Sequence, residues 1–286
     1  MQDILTNPYT WIAVLSVLIV LFVILCLVIG RDKNKAGKVK RYPVASVDIG
    51  MAQFIGTREK QDDSFGVHTN GNGTFAIVAD GIGGFMDGDV ASRIAVDTFI
   101  ENFKMGNVSN NINFFFNSSA ITANERIRKQ FGDKMCGTTV VAAIVADRKL
   151  YYTSIGDSII SVFRNGRLIP VNTKHNVESY LEELYMSGKI TREQALGSNK
   201  NRRLMNYVGH DGFVNPEEMD KPVNLKVGDK VLLYSDGVEL LSQIEMEDIL
   251  SRKGNAQQKA EIIMNTIVYK NAKSKDNSTV VILDIH

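Results

Sequence analysis

The chain is 286 residues long, with 44% apolar and 23% charged residues and a formal net charge of +1. That length allows one large domain with a full core, and the near-zero charge argues against a global nucleic-acid surface. Two distant cysteines, Cys26 and Cys136, and four scattered histidines argue against a disulfide framework and against zinc sites of the usual spacing.

The first element is "WIAVLSVLIVLFVILCLVI", Trp11 to Ile29. As a helix it would rise about 28 Å, close to the hydrocarbon thickness of a bilayer. It has no amphipathic period, which is poor for a soluble helix. The segment before it holds only Asp3, whereas "RDKNKAGKVKR" after it is basic. The positive-inside rule then places residues 1–10 outside, a transmembrane helix over 11–29, a basic juxtamembrane linker over 30–41 and one cytoplasmic domain over 42–286.

Within that domain, "YPVASVDIG", "SFGVHT" and "TFAIVAD" read as strands, the last two around the turn "NGNG". "GDVASRIAVDTFIENF" places Ala91, Ile94, Ala95, Phe99 and Phe103 on one helical face, with Asp87 or Asp89 as its cap. A second helix is predicted over 112–131. Four strands follow, "TTVVAAIVA", "KLYYTSIGD", "IISVFRNG" and "RLIPV", with turns at Asp147-Arg148 and Asn165-Gly166. Next come a helical "VESYLEELYMSGKITREQAL" and an irregular "GSNKNRRLMNYVGHDG". "DKVLLYSDG" is a strand, "EMEDILSRK" and "NAQQKAEIIMNTIVYKNA" are helices, and "NSTVVILDI" is a closing strand. Hairpin-linked strands with paired helices indicate an α+β fold with antiparallel sheets. Gly81-Ile82-Gly83-Gly84 lacks the spacing of a dinucleotide fingerprint, and no P-loop is present.

Acids recur at strand ends. Asp80 and Asp236 each close an apolar run and precede a glycine, Asp157 follows "TSIG", and Asp62, Asp63 and Asp276 stand just before strands. One Asp-Gly is a turn former; the set together suits a hard cation. Mg²⁺ and Mn²⁺ take oxygen ligands, and two ions sharing a carboxylate can activate a water for attack on phosphorus. Gly81 lets a backbone carbonyl approach as a further ligand. Arg58, in "GTREKQDD", has the planar fork that suits phosphate oxygens.

The order "R-x-x-Q-D-D", "VADGIGG…GD-x-x-AS", "GTTVVAAIV", "IGDS", "YSDG" and "KDNSTVVIL" resembles the protein phosphatase 2C family, the metal-dependent serine/threonine phosphatases, from about Ser46 to Ile285. The resemblance implies a four-layer αββα sandwich of two antiparallel sheets flanked by helices, here preceded by the transmembrane helix. It implies two Mn²⁺ or Mg²⁺ ions at one edge. Asp80 corresponds to the bridging carboxylate, Gly81 to the carbonyl ligand, and Asp236 and Asp276 to the rest of one metal's shell. Asp63, with Asp62 beside it, corresponds to the holder of the second metal. Asp157 corresponds to the acid of a third, weaker site in many bacterial-type members. Arg58 corresponds to the phosphate clamp, and Asn277 to a group orienting Asp276 or the attacking water. Residues 175–209 resemble the family's flap, with Arg202 and Arg203 as substrate contacts.

The resemblance also implies phosphorylated proteins as substrates and a serine/threonine kinase as counterpart, with no nucleic-acid partner. The sequence departs from the family pattern at four places, five residues in all. Asp62 stands where many members have Glu, Ile82 where some have His, Ile159 where many have Arg, and Lys174-His175-Asn176 in place of Asp-His-Ser. Without a His at position 82, the leaving group's proton has to come from elsewhere. A second reading is a phosphatase-fold module that has lost turnover and binds phosphoproteins or a membrane partner. The intact set Asp63, Asp80, Asp236 and Asp276 argues against it.

Overall fold

Strands buried on both faces carry unbroken apolar runs, and "FAIVA", "VVAAIVA", "VLLY" and "VVIL" are such runs. The computed structural model describes residues 46–82, 87–106, 108, 111–132, 134–197, 203–216, 219 and 221–286. It assembles these runs into two antiparallel sheets. The first is ordered β1 (Val47–Phe54), β11 (Ser278–Ile285), β10 (Lys230–Tyr234), β7 (Ile159–Arg164) and β8 (Arg167–Pro170). The second is ordered β2 (Asp63–Asn70), β3 (Gly73–Ile82), β5 (Val140–Ala146), β6 (Lys149–Ile155) and β9 (Val223–Asn224). A short β4 (Gly137–Thr138) pairs with the end of β3.

Alternation along each strand divides the apolar side chains among three cores. Ala76, Val78, Val141 and Ala143 meet Val231, Leu233, Val281 and Leu283 between the sheets. Phe75, Ile77 and Ala79 turn the other way, against helices α1 (Gly88–Lys104) and α2 (Ile112–Phe131). Val280 and Ile282 pack on α5 (Gln243–Ser251) and α6 (Ala256–Tyr269). This is the expected αββα arrangement.

The α1 layer is held by aromatic packing. Phe75 and Phe103 stack at 5.1 Å, and Phe115 meets Phe75 edge-on at 5.8 Å. All three rings are fully buried, each contributing roughly 1.5–3 kcal/mol. Capping boxes start α5 (Ser242 with Glu245) and α6 (Asn255 with Gln258), which satisfies N–H groups the helices cannot bond themselves.

Several expectations change. The strand that was expected to stop at Asp80 continues through Gly81 and Ile82, which pair with Thr138 and Gly137. "TTVVAAIVA" is divided at Thr139, which bonds Asp80 through its backbone N–H and its hydroxyl. The single helix expected over 177–196 is two, α3 (Val177–Met186) and α4 (Arg192–Gly197), separated at Gly188 with φ 73°. Strand β9 was not foreseen. The expected transmembrane helix over 11–29 and the linker over 30–41 lie outside the described residues. Among the described residues no helix is long and apolar enough to cross a membrane.

Candidate active site

Strand pairing brings two of the acids face to face. Asp63 opens β2 and stands directly opposite Asp80 on β3. Asp63 reaches from the second sheet to the first: its Oδ2 accepts from Ser235 Oγ at 2.7 Å and from Thr279 Oγ1 at 2.8 Å. Ser235 follows β10 and Thr279 lies on β11, so one carboxylate ties both sheets at this edge. Its other oxygen, Oδ1, is buried with no hydrogen-bond partner. Burial, with Asp236 and Asp276 adding to it, pushes the Asp63 carboxyl up to about 7, against the two hydroxyl donors.

Asp80 is fixed by its backbone. Its N–H donates to Thr139 Oγ1 at 3.0 Å, and its carbonyl accepts from Thr139 N–H at 2.8 Å and Thr138 Oγ1 at 2.9 Å. Burial first, then the charges of Asp63, Asp236, Asp157 and Asp276, hold its carboxyl well above the ordinary range. These acids thus feel one another, which is the electrostatic signature of a site awaiting positive charge.

Both Asp-Gly pairs need glycine for room. A Cβ on Gly81 would lie 2.2 Å from the Gly88 carbonyl oxygen, and one on Gly237 would lie 1.9 Å from that of Asn277. Asp236 begins a 3-10 turn, Asp236–Leu240, immediately after Ser235. Asp276 precedes β11, and one of its oxygens accepts from the backbone N–H of Asn277 at 2.9 Å.

Arg58 lies within this cluster. Its Nη2 donates to Asp276 Oδ2 at 2.6 Å with both side chains about half exposed. The Asp276 bond and charge, then the charges of Asp236 and Asp80, raise the guanidinium's proton affinity further. The loop carrying Arg58 is stitched by Asn277: its Oδ1 accepts from Asp62 N–H at 2.8 Å, and its Nδ2 donates to the carbonyls of Ile55 and Lys60 at 2.8 and 3.0 Å. The Asn277 side chain therefore positions the Arg58 loop. The orienting of Asp276 falls to the Asn277 backbone.

Burial and the charge of Asp89 push the Asp62 carboxyl up, against a bond from the Asp89 backbone N–H in the first turn of α1. Asp87, at the N-cap, has φ 56° and makes no side-chain cap.

Asp157 is buried after β6, where it accepts from the Asn176 side chain. Asn176 Oδ1 meanwhile caps α3 through Ser179 N–H at 3.0 Å. The altered Lys174-His175-Asn176 run is thus bonded around Asp157. Arg203 is exposed, and Arg202 lies outside the described residues. The hydroxyls of Ser235 and Thr279 were not anticipated, although each sits inside one of the sequence motifs.

Among the described residues no three acidic, histidine or cysteine side chains converge as a ready-made metal-ligand set. Asp276 pairs with Arg58, and Asp63 spends one oxygen on two hydroxyls. The donor set is nonetheless all oxygen, and the unbonded buried Oδ1 of Asp63 fits a hard cation.

The sequence pattern of the family described as protein phosphatase 2C matches residues 54–266. The serine/threonine phosphatase stp of Listeria welshimeri is 30% identical over 236 residues, covering 79% of this chain and 91% of that protein. The crystal structure of the serine/threonine phosphatase Stp1 from Staphylococcus aureus superposes with TM-score 0.73 at 23% identity, over 86% of this chain and 97% of that one. The catalytic domain of the serine/threonine protein phosphatase PstP, in complex with two manganese ions, gives TM-score 0.66 at 22% identity, over 84% and 98%. The chain belongs to the protein phosphatase 2C family, the metal-dependent protein serine/threonine phosphatases.

Proposed function

We propose that this chain hydrolyses phosphoserine and phosphothreonine on proteins at the cytoplasmic face of a membrane, opposing a serine/threonine kinase. The observation that carries the reading is the facing pair Asp63 and Asp80, with Asp63 Oδ1 buried and unbonded. Asp80, Asp236, Asp276, Asp63 and the Gly81 carbonyl would hold two Mn²⁺ or Mg²⁺ ions, the count described for PstP. When bound, such ions supply an activated water and offset the charge of the phosphoryl group.

The chain's own residues do the rest. Asp63 braces the two sheets so that the acids keep their spacing. Thr138 and Thr139 lock the backbone of Asp80. Arg58 would offer its planar fork to two phosphate oxygens beside Asp276. Asn277 keeps the Arg58 loop in register with β11.

The apolar run at 11–29 and the basic run after it support single-pass anchoring with the N-terminus outside. The test is phosphate release from a phosphothreonine peptide by the full-length protein in detergent, with Mn²⁺ and with EDTA. Turnover only with metal supports the reading, and no turnover by folded, metal-loaded protein refutes it. For anchoring, the full chain should resist carbonate extraction from membranes, and a chain lacking residues 1–41 should be released.

A further inference from the structure

Strand register places the start of the described domain at one end of the sandwich and the site acids at the other. Val47 pairs with Ile285, and at the far end of the same strand Phe54 pairs with Ser278, two residues after Asp276. Lys230 opens β10 at the first end, and Ser235 and Asp236 follow that strand at the second. In the other sheet, the turns at residues 70–73 and 146–149 stand at the end away from the Asp63 and Asp80 pair. At a strand rise of about 3.3 Å per residue, the two edges are about 25 Å apart.

The edge away from the site is tied into one surface. Segment 224–229 crosses it from sheet to sheet. Arg164 Nη2 donates to the Asn224 carbonyl at 2.7 Å, Leu225 N–H to that of Arg148 at 2.8 Å, and Gly228 N–H to that of Ile285 at 2.8 Å. His286 N–H donates to the Ser46 carbonyl at 2.9 Å, so the described domain begins on this edge. Helix α6 begins here too, with Ala256 N–H donating to Asp48 at 2.8 Å.

Most acids of this edge are engaged. Asp229 is buried on Arg164, Asp284 is buried 3.3 Å from Lys230, and Asp248 holds Arg252 at 2.6 Å. The bases are not engaged to the same degree: Arg148, Arg167, Lys226 and Lys253 are exposed and Lys149 is half-buried. Against them stand Asp147, exposed, and Glu247, 4.0 Å from Arg167. Val227, beside Lys226 on the crossing segment, is 64% exposed. The basic run 31–41 ends five residues before Ser46.

We propose that this edge docks on anionic phospholipid headgroups and seats the domain on the bilayer with its active site facing away from the lipid. The inference rests on the single-pass anchoring given above. With residues 30–45 alone between the apolar run and Ser46, the edge stays near the membrane. There each Lys or Arg is attracted by the negative surface potential, and Val227 offers an apolar side chain at the point of contact. The site then opens about 25 Å from the headgroups, in reach of phosphorylated residues on domains that stand clear of the membrane.

The test uses the full-length protein in phosphatidylcholine nanodiscs with and without about one-third phosphatidylserine. Lysines are acetylated with a membrane-impermeant reagent and read by mass spectrometry. Lys60, exposed at the site edge, is the internal reference. Acetylation of Lys149, Lys226 and Lys253 should slow about tenfold relative to Lys60 in the anionic discs, and recover in about 1 M salt. Arg148→Glu combined with Arg167→Glu should recover it in folded protein at low salt. Equal rates for wild type in neutral and anionic discs would overturn the proposal. So would slowing at Lys60 as large as that at Lys226. Carbonate extraction from vesicles of the same lipid reports the anchor separately. Protein that carbonate releases but anionic lipid still slows at Lys226 would refute the anchoring and support the lipid surface. Protein that is released and not slowed would refute both.

Discussion

Replacing Asp63 by Asn should stabilise the metal-free protein while removing its activity. Folding raises this carboxyl from 3.8 to about 7, chiefly by burial. Between those values the folded state binds more protons than the unfolded state, so stability falls as pH rises through that window and stays low above it. The shift corresponds to roughly 4 kcal/mol of lost stability above pH 7. Asparagine removes that loss but accepts more weakly from Ser235 and Thr279, returning about 2 kcal/mol. A net gain of about 2 kcal/mol is about 4–8 °C in Tm for a domain of this size. The assay is thermal unfolding by circular dichroism in EDTA, at pH 4 and pH 8. Asp63→Asn should melt several degrees above wild type at pH 8 and show no advantage at pH 4. Mn²⁺ should raise the Tm of wild type more than that of the variant. If Asp63→Asn is as destabilising at pH 8 as at pH 4, burial of this charge is not the cost argued for here.

Three further outcomes follow from other parts of the structure. Arg58→Ala should lower kcat/KM on a phosphothreonine peptide by about 10²-fold, with Arg58→Lys recovering only part of it, because an ammonium cannot make the two-pronged bond. Asn277→Ala removes three bonds to the 55–62 loop; about 2–3 kcal/mol should be lost in urea unfolding, with KM rising as Arg58 loses its place. Phe103→Ala, in the α1 core, should cost about 3–5 kcal/mol while leaving turnover per folded molecule unchanged.

The layers were legible because both faces of each central strand are buried. "FAIVA" and "VVIL" are apolar without a break, and the alternation that assigns Ala76 to one core and Phe75 to another needs only the strand period. The site acids were legible because each stands beside a glycine or at the edge of such a run. What could not be read is what those acids bond. Asp62 meets Asp89 across a gap of 27 positions, and nothing local marks that meeting. Arg58 meets Asp276 across 218 positions, through a loop closed by Asn277. Strand β9 has only two residues and pairs only with the far end of β6, too short for any period to show. The flap divides at Gly188 because a left-handed turn interrupts a run that looks helical throughout. Lys174 looked like an unexplained substitution until the fold set it beside Glu239 and Asp157.

The most direct measurement is Mn²⁺-dependent phosphate release from a phosphothreonine peptide by wild type and Asp80→Asn, with the metal content of each preparation determined in parallel. The account predicts turnover in wild type that EDTA abolishes, and a loss of about 10³-fold or more in Asp80→Asn together with bound metal. Asp80→Asn protein that turns over at the wild-type rate, or wild type that is indifferent to EDTA, would contradict it.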